Sequence, residues 1–253
     1  MSRIIFHIDV NSAYLSWTAL ELLKEDPDSP DIRTIPAIVG GDRSTRHGIV
    51  LAKSQSAKTR YQIRTAEPIA SALRKCPSLT IVPPNHTLYA ARSRELMDFL
   101  KTLTPDLEQV SIDECFLDFT GIAHRYSSPE EGAAFIRASV KERFGFTVNV
   151  GISSSRVLAK MASDFEKPDK THTLWPSQIP EKLWPLPIER LFMAGHSSAS
   201  VLRKLEICTI GDLANSDPDL ITLHLKSHGR LLWEYANGLD ETPVTSCPAK
   251  LKG

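Results

Sequence analysis

The sequence has no excess of either charge, because 30 Lys and Arg residues balance 30 Asp and Glu residues. A bulk electrostatic argument for nucleic-acid binding therefore fails. The four cysteines are widely spaced and form no CxxC pair, which argues against a disulfide framework or a zinc site and for a reducing compartment. No hydrophobic run is long enough to span a bilayer or to resemble a secretory signal. We therefore expect a cytoplasmic protein with no membrane partner.

The charges that are present lie unevenly along the 253 residues, a length that suffices for one large domain or two to three small ones. Between Asp31 and Lys75, nine basic residues face three acids, whereas between Asp98 and Glu142 nine acids face four basic residues. A basic segment beside an acidic one suits a polyanion held next to a metal ion. Two ordinary solvated surfaces explain the same pattern.

The most informative stretch is residues 109–119, with the sequence QVSIDECFLDF. Its apolar residues alternate with polar ones, which is typical of a β-strand. Two acids, Asp113 and Glu114, stand side by side in its middle. Since neighbouring strand residues point to opposite faces, both acids can serve one site only where the backbone turns, as at a hairpin tip or a strand end.

A third acid, Asp9, follows the apolar run Ile4–Ile8, which predicts a buried strand over residues 3–10. Three carboxylates from adjacent strands form the oxygen-rich cage that Mg²⁺ prefers. Asn11 and Ser12 are a plausible N-cap for a helix over 13–24, and free N–H groups there would accept a metal-bound phosphate. An ordinary capped strand–helix junction is the alternative interpretation.

Periodicity and turn residues predict the remaining elements of a first domain, namely a helix at 88–103, the acidic hairpin 109–119, a helix at 129–144, a strand at 147–152 and a helix at 155–165. With the first strand, the order is βαββαβ, a ferredoxin-like α+β arrangement in which that strand and the hairpin are neighbours. Asp9, Asp113 and Glu114 should then converge. Residues 13–84 form a small α/β insertion.

After Lys167 the prolines predict a linker, followed by helical segments at 188–193, 198–205, 210–214, 217–224 and 229–237. The pattern LRKLEICTIGDLA at 202–214 is typical of a helix-hairpin-helix unit, which binds duplex backbone through main-chain N–H groups. A small helical bundle packed for stability is the alternative.

Four segments carry a resemblance to a known family: FHIDVNSAYLSW at 6–17, VSIDECFLDF at 110–119, VGISSSRVLAKMASDFEKPD at 150–169, and LRKLEICTIGDLA at 202–214. The chain resembles the Y-family DNA polymerases, the translesion group, and among them the bacterial UmuC/DinB-like branch. The resemblance implies a palm at 1–12 and 85–170, fingers at 13–84 and an all-α helix-hairpin-helix thumb at 171–245. Residues 246–253 would begin the linker to a little finger domain that this chain lacks.

The resemblance also implies a catalytic site for nucleotidyl transfer. Asp9 and Asp113 would bridge two Mg²⁺ ions, for which Mn²⁺ is a possible substitute. Glu114 would hold the ion that activates the primer 3′-hydroxyl, and the Val10 carbonyl would complete the other ion's shell. Tyr14 matches the family's steric gate, an aromatic ring that excludes a 2′-hydroxyl.

The remaining residues that the resemblance implies would bind the nucleotide triphosphate. The palm lysine Lys167 would reach it, and the fingers motif from Lys53 to Lys58 would carry a basic residue to it. Lys58 is the preferred candidate, with Thr59 or Arg60 in its place if the register slips. The full predicted nucleotide set is Val10, Asn11, Ser12, Ala13, Tyr14, Lys53, Lys58 and Lys167.

The function so implied is template-directed DNA synthesis past damaged bases, without proofreading. The expected partners are primer-template DNA, a dNTP and, through the absent carboxy-terminal region, a sliding clamp or recombinase filament, with the chain a monomer. Lys160 and Arg156 could contact DNA phosphate or be exposed helix charges. Two alternatives stay open: a catalytically weak or non-catalytic DNA-repair scaffold, and a cyclase or other nucleotide enzyme on the same palm fold.

Overall fold

The structure is a computed structural model that describes residues 3–41 and 48–246. The strands are β1 (Ile5–Val10), β2 (Ala37–Gly40), β3 (Val50–Lys53), β4 (Thr80–Val82), β5 (Leu107–Gln109), β6 (Glu114–Asp118), β7 (Val148–Ser153) and β8 (Thr171–Thr173). The α-helices are α1 (Ala13–Glu25), α2 (Gln55–Tyr61), α3 (Ile69–Lys75), α4 (His86–Lys101), α5 (Pro129–Phe144), α6 (Arg156–Ser163), α7 (His196–Lys204), α8 (Ile210–Ala214) and α9 (Pro218–Ala236). None of these described helices combines the length and the apolar character that a bilayer crossing demands.

The chain divides into two compact units. The first comprises the described residues within Met1–Asp9, Leu100–Ser139 and Thr147–Gly253, and the second those within Val10–Phe99 and Val140–Phe146. The division into palm, fingers and thumb stays a prediction. Of the linker expected at 246–253, all but the first residue lie outside the described residues.

The first unit is built on a five-stranded sheet with the strand order β5-β6-β1-β7-β8. The first strand of the βαββαβ order thus lies between β6 and β7, as the ferredoxin-like arrangement requires. The α+β prediction is confirmed. In the antiparallel pairing of β1 with β6, Asp9 lies directly opposite Glu114, and His7 lies opposite Phe116.

The acidic stretch forms a hairpin, as predicted. Strands β5 and β6 pair antiparallel with Gln109 opposite Cys115, and residues 110–113 make the connection. Asp113 therefore stands in the tip and Glu114 begins the returning strand. The backbone turn that both acids need in order to serve one site is present.

The prediction of an irregular linker after Lys167 is wrong at one place. Residues 171–173 form β8, which pairs parallel with β7 and extends the sheet at its edge. Three residues between Pro168 and Pro176 are too short for an alternation signal, so only the backbone pairing with β7 defines this strand.

The helices after β8 share one apolar core with α6, whose members include Leu158, Leu183, Leu202, Ile210 and Leu232. The helix-hairpin-helix prediction at 202–214 corresponds to the end of α7, a short loop and α8. The two helices predicted at 217–224 and 229–237 are present on either side of a break at Lys226, whose φ of 56° and ψ of −145° are not helical, and α9 denotes both of them. The helix predicted at 188–193 is only a 3₁₀ turn over Ile188–Arg190.

Residues 239–246, which we call the strap, run from α9 back over the first unit's sheet. Arg3 donates to the carbonyls of Glu241 and Thr242, and Arg156 donates to the carbonyl of Pro243. The carboxylate of Asp240 accepts from the backbone N–H of Val157 in the first turn of α6. The strap is thereby tied to both the sheet and the helix that follows β7.

The second unit contains a separate sheet with the strand order β3-β2-β4. Helices α2 and α3 contribute Ala57, Ile69 and Ala72 to its apolar core, beside Ile38 of β2. The hydroxyl of Ser54 accepts from the backbone N–H of Ala57 and so caps α2.

The contact between β7 and α6 depends on Gly151. A Cβ at this position would overlap the backbone of Ala159 and Ser163. Because the overlap is with main chain, no side-chain rotation relieves it. Glycine therefore sets how closely α6 approaches the sheet.

We expect Gly151→Ala to destabilise the protein by about 3 kcal/mol or more, as overpacking against backbone forces strands and helix apart. The matched control is Gly121→Ala, since an added Cβ there meets nothing within 4 Å. Urea unfolding of the two variants measures the difference. Equal midpoints would contradict the close packing of α6.

Candidate active site

The three predicted acids meet at one corner of the first unit, and we call Asp9, Asp113 and Glu114 the acid cluster. Directly opposite residues of an antiparallel pair share a face, which places Asp9 and Glu114 side by side. Burial raises the pKa of the Asp113 carboxyl, and the charges of Asp9 and Glu114 raise it further. Ser111 donates its hydroxyl to Asp113 at 2.8 Å.

Two lysines neutralise this cluster. Lys160 Nζ lies 2.8 Å from Glu114 Oε2 and 3.8 Å from Asp9 Oδ2. Lys167 Nζ lies 2.8 Å from Asp9 Oδ1 and 2.8 Å from Asp164 Oδ1. Burial alone would lower the pKa of both ammonium groups, but these carboxylates outweigh it and raise each pKa.

A buried histidine completes the surroundings of Glu114. The ring of His7 on β1 is fully inaccessible, and its Nδ1 lies 2.8 Å from the Ser163 hydroxyl. Its Nε2 lies 3.2 Å from Glu114 Oε2. Contact with His7, together with Lys160, lowers the pKa of Glu114 to about 2, whereas burial lowers the pKa of His7.

Sequence reasoning missed His7, Ser163 and Asp164. The interpretation of Lys160 as an exposed helix charge is wrong, because its side chain is 13% exposed and contacts the acid cluster. A contact between Lys160 and DNA phosphate stays a prediction. The i, i+3, i+4 and i+7 spacing of Lys160, Ser163, Asp164 and Lys167 was the available signal, since such residues share a helix face.

Arg156, the other residue considered for DNA contact, is also turned inward. Its guanidinium lies 2.8 Å from a carboxylate oxygen of Glu108 and stacks 4.6 Å from the Phe116 ring centroid. The side chain is 17% exposed. A contact with DNA phosphate would require Arg156 to leave these partners.

The acid cluster has the donors that a divalent cation needs. Its carboxylate oxygens are hard ligands of the kind that Mg²⁺ prefers. The ammonium groups of Lys160 and Lys167 act as stand-in cations, which indicates that the cluster attracts positive charge. In the described ranges, no three or more His, Cys, Asp or Glu side chains are positioned so that they could hold a metal ion together.

The predicted gate residue lies in the second unit. The ring of Tyr14, on α1, stacks on Tyr89 with centroids 4.3 Å apart and planes 7° apart, and His86 meets it edge-on at 6.3 Å. Tyr89 is fully buried and bonded to the Thr18 hydroxyl at 2.9 Å. Tyr14 itself is only partly buried. A rigid aromatic base thus supports a half-exposed ring.

The start of α1 differs from the predicted N-cap. Ser12 occupies the cap position in the left-handed conformation, with φ 48° and ψ 51°, and its side chain makes no capping hydrogen bond. The buried residue Asn11 precedes it, and its carbonyl accepts from the Ser16 hydroxyl. The Ser12 side chain therefore does not cap the helix that begins at Ala13.

The two lysines of the fingers motif differ in their surroundings. Lys53, on β3, donates to the Thr65 hydroxyl at 2.7 Å, and burial together with the charge of Lys58 lowers its pKa. Lys58 is exposed on α2, as are Thr59 and Arg60. Exposure does not distinguish these three, so the register of the phosphate-binding residue stays open.

The turn before α7 has a backbone conformation that glycine favours, although the residue there is a methionine. Met193 adopts φ 69°, in the left-handed region that favours glycine. The residues that follow line a small cleft of about 340 Å³ with Glu189, namely His196, Ser200, Arg203 and Lys204. Three of these side chains are basic, although Arg203 is paired with Glu189 at 2.7 Å.

Comparison with known proteins places this arrangement in a family. Residues 8–164 match the family described as impB/mucB/samB. The chain belongs to this family. DNA polymerase IV of Clostridium acetobutylicum is 48% identical over 252 residues, which are 100% of this chain and 63% of that protein. The matched family segment contains the acid cluster, Tyr14 and Lys160.

Solved structures agree with the family assignment. The crystal structure of DinB from Sulfolobus solfataricus superposes with a TM-score of 0.81 at 24% identity over 96% of this chain and 69% of that one. A Y-family DNA polymerase chimera superposes with a TM-score of 0.81 at 25% identity over the same shares. The predicted resemblance to the Y-family is confirmed. The chain spans about three fifths of the length of the curated relatives it matches.

The depressed pKa of Glu114 makes a prediction about acid stability. Its carboxylate stabilises the fold above its ordinary pKa of 4.5, and that contribution is lost as the pH falls toward about 2. Between the ordinary pKa of 4.5 and a pH of about 2, we expect the free energy of unfolding to fall by about 1–2 kcal/mol less in Glu114→Gln than in the wild type, allowing for solvent screening. Urea unfolding at several pH values measures this, with the exposed Glu130→Gln as the control. Parallel curves for all three proteins would contradict it.

Proposed function

We propose that this chain is the catalytic core of a DNA-directed DNA polymerase that copies past damaged bases. The observation that carries the proposal is the acid cluster, where β1 and the β5–β6 hairpin place Asp9, Asp113 and Glu114 together beneath two lysines. Membership of the impB/mucB/samB family and the relatives named DNA polymerase IV support it.

Asp9, Asp113 and Glu114 would hold two Mg²⁺ ions, with Mn²⁺ as a possible substitute and with the Val10 carbonyl as a further ligand. Such a pair stabilises the attacking and leaving oxygens of an in-line displacement at phosphorus. The primer 3′-hydroxyl would attack the α-phosphorus of the dNTP and lose its proton to water. The new O–P bond would replace the bond between the α-phosphorus and the oxygen that bridges to the β-phosphate, so that pyrophosphate leaves. Binding a cation requires the ionised form of Asp113, and the burial that raises its pKa opposes this ionisation.

Both main-chain and side-chain groups would bind the triphosphate. Lys167 already contacts Asp9 and would turn to the phosphates, since an ammonium on a flexible stem moves readily between anions. The start of α1, where the Ser12 side chain forms no cap, would supply N–H donors from Asn11, Ser12, Ala13 and Tyr14. Lys53 and Lys58 supply charge from the fingers.

Primer-template DNA and a dNTP are the proposed partners, and a sliding clamp or recombinase filament is a further proposed partner. The basic cleft beside α7 suits a DNA backbone phosphate. We propose a cytoplasmic monomer without proofreading.

The deciding test is primer extension by the purified chain with Mg²⁺ on undamaged and abasic templates. We expect Asp113→Asn to lower the rate about 1,000-fold, which corresponds to about 4 kcal/mol of transition-state stabilisation. The exposed Glu130→Ala is the control and should match the wild type. Full activity in an Asp113→Asn, Glu114→Gln double variant would refute the assignment. If the wild-type chain bound DNA but did not extend the primer, the non-catalytic DNA-repair scaffold would be favoured.

The gate proposal makes a separate prediction. Tyr14→Ala removes the ring that rests on Tyr89 and should raise ribonucleotide incorporation relative to deoxyribonucleotide incorporation by about 10–200-fold, the range for one small group in a pocket. The ratio of kcat/KM for the two nucleotides measures it. Tyr14→Phe keeps the ring and is the matched control. A ratio unchanged in Tyr14→Ala would exclude Tyr14 as the gate.

A further inference from the structure

His7 is a buried polar residue for which the proposed reaction has no use. It sits in the middle of β1, two residues before Asp9, and its ring meets Phe116 edge-on at 4.8 Å. Strand residues two apart share a face, so the ring lies on the face that carries Asp9 and Glu114. A fully buried imidazole is costly in an apolar strand unless its nitrogens have partners.

One ring nitrogen has an aligned partner and the other does not. Nδ1 is bonded to the Ser163 hydroxyl. Nε2 lies 3.2 Å from Glu114 Oε2, yet the two are not aligned as a hydrogen bond, which leaves Nε2 a buried polar atom without a well-formed bond. It is aimed at a carboxylate of the acid cluster.

The Glu114 carboxylate also has a second partner. Its Oε2 also contacts Lys160 Nζ at 2.8 Å, so the ammonium and the imidazole compete for one oxygen. The Lys160 ammonium is charged and its side chain is 13% exposed, whereas the His7 ring is fully buried in the sheet. A divalent cation bound by the carboxylates would repel the ammonium and leave the imidazole in place.

The Glu114 carboxylate selects the tautomer of the ring. A neutral imidazole has one N–H group. With that proton on Nε2, the ring donates to Glu114, whereas the opposite tautomer would set a nitrogen lone pair against the carboxylate. The Ser163 hydroxyl has one proton, so in this tautomer it donates to Nδ1 in place of the Lys160 carbonyl, from which its oxygen lies 2.8 Å. Ser163 thereby ties the ring to α6.

We propose that His7 is a positioning residue that orients the Glu114 carboxylate through its Nε2–H and thereby raises the cation affinity of the acid cluster. This inference rests on the proposed function, in which the cluster holds a divalent cation. Substitution of a residue that donates a hydrogen bond to a metal-binding carboxylate typically lowers the metal affinity 10–100-fold. Ser163 acts one step further away, by holding the ring.

The experiment compares two substitutions that differ in which nitrogen they replace. In His7→Gln, the side-chain amide reaches the position of Nε2 and can still donate to Glu114. In His7→Asn, the shorter amide reaches only the position of Nδ1. Both remove the ring, so a loss of packing affects both. Ser163→Ala leaves the ring but removes its anchor.

Calorimetric titration with Mn²⁺ is the primary measurement, made on the whole chain with primer-template DNA and a dNTP analogue whose α-phosphate cannot be transferred. We expect His7→Asn to weaken Mn²⁺ binding at least 10-fold, His7→Gln less than threefold, and Ser163→Ala to an intermediate degree. In steady-state assays, His7→Asn should raise the KM for Mg²⁺ with little change in kcat at saturating Mg²⁺. In a Glu114→Gln background, His7→Asn should have no further effect on Mn²⁺ affinity.

The outcomes separate this inference from the function on which it rests. Wild-type chain that binds no Mn²⁺ would overturn both. Wild-type binding with equal affinities in His7→Asn and wild type would overturn the inference alone. Equal weakening in His7→Asn and His7→Gln, or an undiminished effect in the Glu114→Gln background, would assign His7 a purely structural role and would likewise overturn it.

Discussion

Charge compensation at one corner of a sheet is the interaction on which the rest of the first unit depends. Asp9 and Glu114 are forced side by side by the register of β1 and β6, and repulsion between them would open that corner without counter-charges. Lys160 and Lys167 provide those charges from α6 and the segment after it. The sheet register and the placement of α6 are therefore coupled through the acid cluster.

The placement of α6 is in turn set by packing. Gly151 lets the helix lie directly on β7, and Ser155 and Asp240 bond to backbone N–H groups in its first turn. A helix held at both its start and its face carries Lys160 to the cluster with little freedom. The position of Lys160 beside the acid cluster therefore depends on Gly151 and on the caps of α6, which lie outside the cluster.

The sequence predicted those parts of the molecule that depend on local pattern. The hairpin with Asp113 at its tip, the βαββαβ order and most helices follow from alternation, periodicity and turn residues. The short strand β8 did not, because three residues carry no period. His7 read as one member of an apolar run, and Ser12 read as an ordinary cap. The burial of the former and the left-handed backbone of the latter are set by tertiary neighbours, which a single sequence does not display.

The way the strap is attached has a consequence for how this protein can diverge. At 241–243 the strap is bound through main-chain atoms: the three carbonyls accept from Arg3 and Arg156, and the Thr242 N–H donates to Asp240. The route of these three residues is therefore set by side chains at other positions. Side chains at these three positions are free to drift in sequence while the route is kept, whereas Asp240 is not, because its carboxylate caps α6.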